Sequence, residues 1–351
     1  MNRKVKNQSI DVMKDKKKEL EKRQDRMQEE TTGTVGSKRK TISIVVSVYN
    51  EEKALEEFYR EATPVFEALP WSYELIFVND GSSDASGQIL AKLAEQDSRV
   101  RVIQFSRNFG HEAAMLAGLD YSSGDGVVCM DADLQHPPEC VSGIIEKFEE
   151  GYEVINMVRT KNTSAGFIKN LTSSAFYRFL NKISDVKLEN NASDFFALTA
   201  NAAQVLKTNY REKVRFLRGY VQNIGFNRTT LEYEARARVA GESKYSIRKL
   251  FKFSINTILC FSDLPLKLGI YSGVAVGFLG MLVMLETIYE WAVKGTPNGY
   301  ATIVVLLCFM FAMLFVIIGI IGEYIAILFT ELKDRPIYIV HDTKGFPEEE
   351  R

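Results

Sequence analysis

A chain of 351 residues with 44 Lys+Arg against 45 Asp+Glu is too long for one minimal domain and has no charge excess that would suit nucleic acid. Its four cysteines (Cys129, Cys140, Cys260, Cys308) are scattered, with no Cys-x-x-Cys pair. They indicate neither a disulfide framework nor a zinc site, and they fit a reducing compartment. The near-zero net charge hides segregation: the start is charged, and the last third holds two long apolar runs.

Residues 1–40 are rich in Lys, Glu, Asp, Arg and Gln, and they lack the apolar core of a signal peptide. Met13, Leu20 and Met27 sit at heptad spacing, too short a stripe for a coiled coil, so this segment reads as a disordered or partly helical tail. From Thr41 the pattern changes. The β-branched run Ile42–Val48 reads as a strand ending in Tyr49-Asn50-Glu51-Glu52, and a helical pattern follows to about Leu69. A second strand, Tyr73–Val78, ends in Asn79-Asp80-Gly81-Ser82-Ser83-Asp84, where Ser83 or Asp84 can cap the next helix. A third, Val100–Phe105, ends in Ser106-Arg107-Asn108-Phe109-Gly110. A helix to Tyr121 leads to a fourth strand, then another helix and the strand Val154–Val158. Such alternation predicts an α/β domain with a mostly parallel sheet over residues 41–240. Polar clusters at the ends of successive strands (Asn50/Glu51, Asp80, Arg107, Asp131/Asp133, Arg159) predict a site along one sheet edge.

The fourth strand carries the most pointed signal. The apolar run Val127–Met130 ends in Asp131-Ala132-Asp133, and carboxylates at i and i+2 of an extended chain point to the same side. Two such carboxylates suit a hard cation, Mg²⁺ or Mn²⁺, with positions left open for a diphosphate. Alternatively, Asp133 only caps a helix starting near Pro137. His136 beside the pair reads better as a helix-start residue than as a ligand. His111 opens a helix where a phosphate contact is conceivable.

Residues 160–240 are more basic, with Arg215 and Arg218 near Gly219, and with Arg236 and Arg238 before Gly241. The second group reads as a loop able to close over an anion, or as a solvated basic loop. Residues 245–265 mix Arg248, Lys249 and Lys252 with large apolar residues, the pattern of a helix lying in a membrane interface. The runs 266–292 and 301–329 exceed the ~20 residues needed to span a bilayer. Lys and Arg cluster before the first run and after the second. The positive-inside rule therefore predicts a hairpin in the plasma membrane with the α/β domain, both termini and the tail 330–351 in the cytoplasm.

In order and wording the motifs Val48–Glu51, Asn79–Asp84, Ser106–Gly110, Asp131–Gln135, Ser193–Phe195, Arg215–Gly219 and Gly241–Tyr245 resemble those of the family-2, GT-A fold glycosyltransferases. More narrowly they resemble the polyprenyl-phosphate hexose synthases, which include dolichyl-phosphate mannose synthase and bacterial undecaprenyl-phosphate (bactoprenol) glucosyltransferase. The likeness runs from about residue 41 to about 340, where Ile321–Tyr324 and Lys333–Pro336 look like the bactoprenol branch. The resemblance implies transfer of a hexose from a nucleotide-sugar, UDP-glucose or UDP-N-acetylglucosamine, to undecaprenyl phosphate at the bilayer. It implies that Tyr49, Glu51 and Asp80 hold the nucleotide, that Asp131 and Asp133 hold Mg²⁺ or Mn²⁺ with Gln135 beside them, and that Asp194 is the proposed base. Arg159 and Arg238 match arginines near the acceptor phosphate and the diphosphate. Ser243 and Lys244 match the closing loop, and Lys169 is a basic residue near Arg159 for the acceptor phosphate. The chain departs from the family at Ser47, where Pro is usual, and after Arg159, where further arginines are usual. Further partners such an enzyme calls for are a second copy of itself, a flippase and a downstream glycosyltransferase.

Two other classes stay on the page. A processive polysaccharide synthase needs a Gln/Arg-x-x-Arg-Trp motif, but Trp71 and Trp291 lie in no such context. A non-enzymatic membrane subunit that assists flipping of a lipid-linked sugar has no use for the aspartate pair.

Overall fold

The computed structural model describes residues 39–160, 189, 192–213, 215–236, 264–294 and 300–346. The chain divides into Met1–Lys40 and Thr41–Arg351. The charged start up to residue 38 lies outside the described residues.

The core of the second unit is one eight-stranded sheet in the order β7-β5-β6-β4-β1-β2-β3-β8. Its strands are β1 (Thr41–Val48), β2 (Ser72–Asn79), β3 (Val100–Phe105), β4 (Gly126–Asp131), β5 (Val154–Arg159), β6 (Ala192–Thr199), β7 (Arg228–Tyr233) and β8 (Val340–Lys344). β1 through β5 and β7 run the same way, while β6 and β8 run against their neighbours. Central β1 pairs with β2 on one side and β4 on the other. That position buries both of its faces, which is why it carries Ile42, Ile44, Val45, Val46 and Val48.

Helices cover both faces. Helix α1 (Leu55–Glu67) buries Leu55, Phe58, Ala62 and Phe66, a spacing that keeps one stripe against the sheet. With α2 (Ser86–Gln96) and α4 (Cys140–Glu149) it packs on Ile42, Ile44, Val46, Leu75 and Phe77. Each side chain of this kind contributes ~1.5–3 kcal/mol on full burial. The other face holds α3 (His111–Asp120), α5 (Ala200–Asn209) and α6 (Leu217–Asn223). Helix α3 is buried nearly all round. It lies so close to β1 that a Cβ on Gly118 would sit 2.0 Å from Val45 Cγ1. A glycine at that point is what lets the first residues of α3 reach the sheet edge.

Two long helices follow, α7 (Leu264–Lys294) and α8 (Tyr300–Leu332). Pro265–Val293 and Phe309–Leu332 are long and apolar enough to cross a membrane. Their large side chains lie uncovered, among them Ile270 at 66% and Phe315 at 67% exposure. The segment 245–263, expected in the membrane interface, lies outside the described residues.

The chain after α8 departs from the expectation of a tail, because Val340–Lys344 is the edge strand β8, antiparallel to β3. Two aromatic anchors hold it. Tyr338 stacks on Phe105 at 5.1 Å, and Phe346, 5% exposed, meets Tyr121 edge-on at 5.3 Å.

Candidate active site at the strand ends

Strand direction assembles the site. The C-terminal ends of β1 to β5 share one sheet edge. Because β6 is antiparallel to β4, its beginning lies at that same edge. Their register pairs Cys129 with Phe196, and two residues further on it sets Asp131 abreast of Asp194.

The loops after β1 and β2 are sewn together. Asn50 adopts a left-handed φ of 54°, and its Oδ1 accepts from the N–H and hydroxyl of Ser83 at 2.8 and 3.3 Å. The Asn50 N–H donates to Ser82 Oγ at 2.9 Å, and the Glu51 N–H donates to Ser86 Oγ at 3.0 Å. The joined loops leave Tyr49 40% exposed beside Glu51, where a base or ribose can lie. Asp80, expected at the nucleotide, is held beneath the loop that follows β3. It is 2% exposed, and its carboxylate accepts from Phe109 N (2.6 Å), Gly110 N (2.9 Å) and Asn108 Nδ2 (2.8 Å). Burial pushes its pKa up and the amide donors only partly offset this. Asp80 thus fixes the loop 106–110 to β2 and shapes the pocket from behind.

Asp131 ends β4 with its side chain 31% exposed, and its Oδ1 accepts from Ser47 Oγ at 3.1 Å. Asp133 is 5% exposed, and its Oδ1 accepts from the Gln135 N–H at 3.1 Å. Between them and Gln135, Leu134 has φ of 60°, which costs a non-glycine residue ~1–2 kcal/mol. Its buried side chain offsets the strain. His136 props this turn. Its Nδ1 accepts from the Asp131 N–H at 3.0 Å, and its ring stacks on Phe195 at 5.0 Å. Burial pushes the His136 pKa down, so the ring is a neutral strut with Nδ1 taken. Among the described residues no three of His, Cys, Asp and Glu converge as a metal cage. Two hard carboxylates are the donor set that Mg²⁺ or Mn²⁺ uses when a diphosphate and water complete its shell. The residues present therefore fit such a cation.

Asp194 stands next to this pair. Its Oδ1 accepts from Arg218 Nε at 3.1 Å and from the terminal nitrogen Nη2 at 2.8 Å. Burial alone would raise its pKa, but Arg218 and then His111 prevail and bring it down to about 2. The His111 ring lies between the two acids: Nδ1 is 3.7 Å from Asp131 Oδ1 and 2.9 Å from Ser47 Oγ, and Nε2 is 3.8 Å from Asp194 Oδ2. Burial opposes charge on this ring, yet Asp131 and Asp194 outweigh it and the net direction is up. The neighbouring Glu112 accepts from the Leu217 N–H at 3.1 Å. Burial, then Asp194, pushes its carboxyl up to about 7.

The sequence reading missed this linkage. In the sequence Ser47 stands out only as a departure from the family's Pro, His111 as a conceivable phosphate contact, Arg218 as an arginine near a glycine, and Glu112 not at all. The available signal was position: His111 and Glu112 open α3 directly after Gly110, whose φ is 100°. Arg159 ends β5 with its guanidinium 6.0 Å from the Tyr233 ring. Lys169, Arg238, Ser243 and Lys244 lie outside the described residues.

Residues 43–204 match the family model Glycosyl transferase family 2. A relative 41% identical over 304 residues, the uncharacterized glycosyltransferase YkcC of Bacillus subtilis (strain 168), covers 86% of this chain and 94% of its own length. The chain is a family 2 glycosyltransferase. The SfII prophage-derived bactoprenol glucosyl transferase of Shigella flexneri is also similar, at 37% identity over 300 residues, 85% of this chain and 97% of that one. A solved structure, mannosyl-3-phosphoglycerate synthase from Rubrobacter xylanophilus, aligns over 62% of this glycosyltransferase and 72% of its own chain, with TM-score 0.44 and 16% identity. The expected family holds, and so does the expected α/β domain with a mostly parallel sheet.

Proposed function

We propose that this glycosyltransferase moves a hexose from a UDP-sugar to undecaprenyl phosphate at the cytoplasmic face of the plasma membrane, with inversion. The observation that carries the reading is the meeting of Asp131, Asp133 and Asp194 at one sheet edge, in a chain that also has two uncovered apolar helices. The name of the Shigella relative supports the lipid carrier. Glucose and N-acetylglucosamine are the donors the motif likeness favours. The helices α7 and α8 form the hairpin, and the basic clusters on either side of it put both ends in the cytoplasm. The product would then need a flippase and a downstream glycosyltransferase.

Asp131 and Asp133 would hold Mg²⁺ or Mn²⁺, which when bound neutralises charge on the departing diphosphate. Tyr49 and Glu51 frame the nucleotide, and Asp80 keeps that wall in place. An acceptor phosphate oxygen attacks the anomeric carbon, and the bond to the nucleoside diphosphate breaks on the opposite side. A phosphate monoester has its second pKa at ~6 and is already largely dianionic near neutrality. Asp194, at about 2, is a poor proton acceptor. With Arg218 it orients the acceptor and keeps a fixed negative charge in place. Arg159 and Lys169 would meet the acceptor phosphate, and Arg238, Ser243 and Lys244 would meet the donor diphosphate.

The test is a transfer assay on the full chain with undecaprenyl phosphate, Mg²⁺ or Mn²⁺, and a panel of UDP- and GDP-sugars, counting butanol-extractable label. One UDP-sugar should label the lipid, and EDTA or Asp133→Ala should abolish labelling. Labelling by none of the donors, with nucleotide binding intact, would sink the acceptor assignment. Loss of binding as well would favour the non-enzymatic subunit.

A further inference from the structure

One short segment ties the apolar hairpin to Asp194. In the last turn of α8, Glu331 Oε1 accepts the backbone N–H of Lys213 at 2.7 Å. Lys213 Nζ donates back to the Glu331 carbonyl at 3.2 Å and lies 3.5 Å from Asp334 Oδ1. The Lys213 side chain is only 13% exposed, so its contact with the Glu331 carbonyl is partly shielded, whereas Asp334 is fully exposed. The Arg215 guanidinium donates to the carbonyls of Glu212 and Lys213 at 3.1 and 3.3 Å, which folds the segment on itself. Beyond it the Leu217 N–H is held by Glu112, and Arg218 grips Asp194. Upstream, Arg211 is pinned to both oxygens of Asp120 at 2.8 and 2.9 Å. Asp120 also accepts from the Tyr338 hydroxyl at 2.5 Å.

Residues 211–213 and 215–218 are thus held by the end of α8 and the chain after it on one side, and by the acids of the site on the other. Arg215, tied back to the carbonyls of Glu212 and Lys213, and Leu217, held by Glu112, lie between Lys213 and Arg218, so a shift at Lys213 has a short, bonded path to Arg218. We propose that Glu331 and Lys213 are positioning residues: the end of the second apolar helix fixes this segment so that Arg218 meets Asp194. Seating of the hairpin in the bilayer then sets the geometry of the active site. The inference rests on the glycosyl-transfer reading of Asp194.

The experiment uses the full chain in phospholipid nanodiscs, comparing wild type with Glu331→Ala and Glu331→Gln. Hydrogen exchange is followed over residues 211–218 alongside kcat and donor KM. Glu331→Ala should speed exchange in that segment and lower kcat ~10-fold, equivalent to a tenfold loss of transition-state population, with donor KM within ~2-fold. Glu331→Gln keeps an oxygen that accepts from the Lys213 N–H and should recover most of both. In an Asp194→Asn background, Glu331→Ala should add nothing, since residues acting through one contact are not additive. Unchanged exchange, an unchanged kcat, or a full additive loss would overturn the proposal. If Glu331→Ala does not fold, Lys213→Met, which removes only the ammonium contacts, should show the same faster exchange. A wild type that transfers no sugar would defeat the acceptor reading, while the exchange arm would still decide the clamp.

Discussion

Replacing Arg218 by Met removes the charge that holds Asp194 and keeps much of the side-chain volume. Asp194 drops from 3.8 to about 2 in the folded chain, and a pKa difference converts at ~1.36 kcal/mol per unit. The nominal worth is then ~2 kcal/mol, but the Asp194 side chain is 35% exposed, and solvent screening brings it to ~1 kcal/mol. A folded pKa below the unfolded one stabilises above pH ~4, and that stabilisation is lost as pH falls towards ~2. Arg218→Met should therefore lower the thermal midpoint by ~2–4 °C at neutral pH, and the deficit should vanish in strong acid. The same change predicts an activity signature. In the wild type Asp194 is ionised throughout pH 4.5–8 and adds no limb to the rate profile. Without Arg218, burial pushes the acid up, and transfer should acquire an acid limb at higher pH than in the wild type. The assay is sugar transfer against pH for wild type, Arg218→Met, Asp194→Asn and the double variant. Identical acid limbs in wild type and Arg218→Met, or independent losses in the double variant, would refute the linkage.

Three further outcomes follow from the same geometry. Gly118→Ala forces a Cβ to 2.0 Å from Val45 Cγ1, so it should cost ~1–3 kcal/mol, read as a lower denaturant midpoint. Glu112, raised to about 7, binds its proton more tightly folded than unfolded, so stability falls as pH rises from ~4.5 to ~7. Glu112→Gln should flatten that decline in thermal midpoints taken between pH 5 and 8. Ser47→Ala removes the hydroxyl shared by Asp131 and His111, and calorimetry should show weaker Mn²⁺–UDP binding, by ~3–10-fold for one charge-assisted bond.

Much of this fold can be read from the chain because β1, β2 and β4 are buried runs and each ends in a polar cluster. What periodicity does not carry is strand direction. Ala192–Thr199 shows as a short apolar segment with one acid, and nothing in its spacing says that it runs against β4. Without that direction Asp194 is an isolated carboxylate. With it, Asp194 falls beside Asp131 with His111 between them. β8 was illegible for a different reason. Val-His-Asp-Thr-Lys has little strand propensity, and its place depends on Tyr338 and Phe346, whose partners lie more than 200 residues earlier in the chain.

That return of the chain changes what the C-terminal residues are for. A tail that only followed a membrane helix would tolerate loss, whereas here β8 completes the sheet beside β3 and Tyr338 braces Asp120. Asp120 ends the helix whose first two residues are His111 and Glu112, and it also holds Arg211, where the segment leading to Arg218 begins. Both routes from the hairpin to Asp194 therefore pass through residues after Thr330. The apolar helices and the sheet edge belong to one folded unit, and under the proposed clamp the second helix reaches Asp194 through Glu331, Lys213 and Arg218.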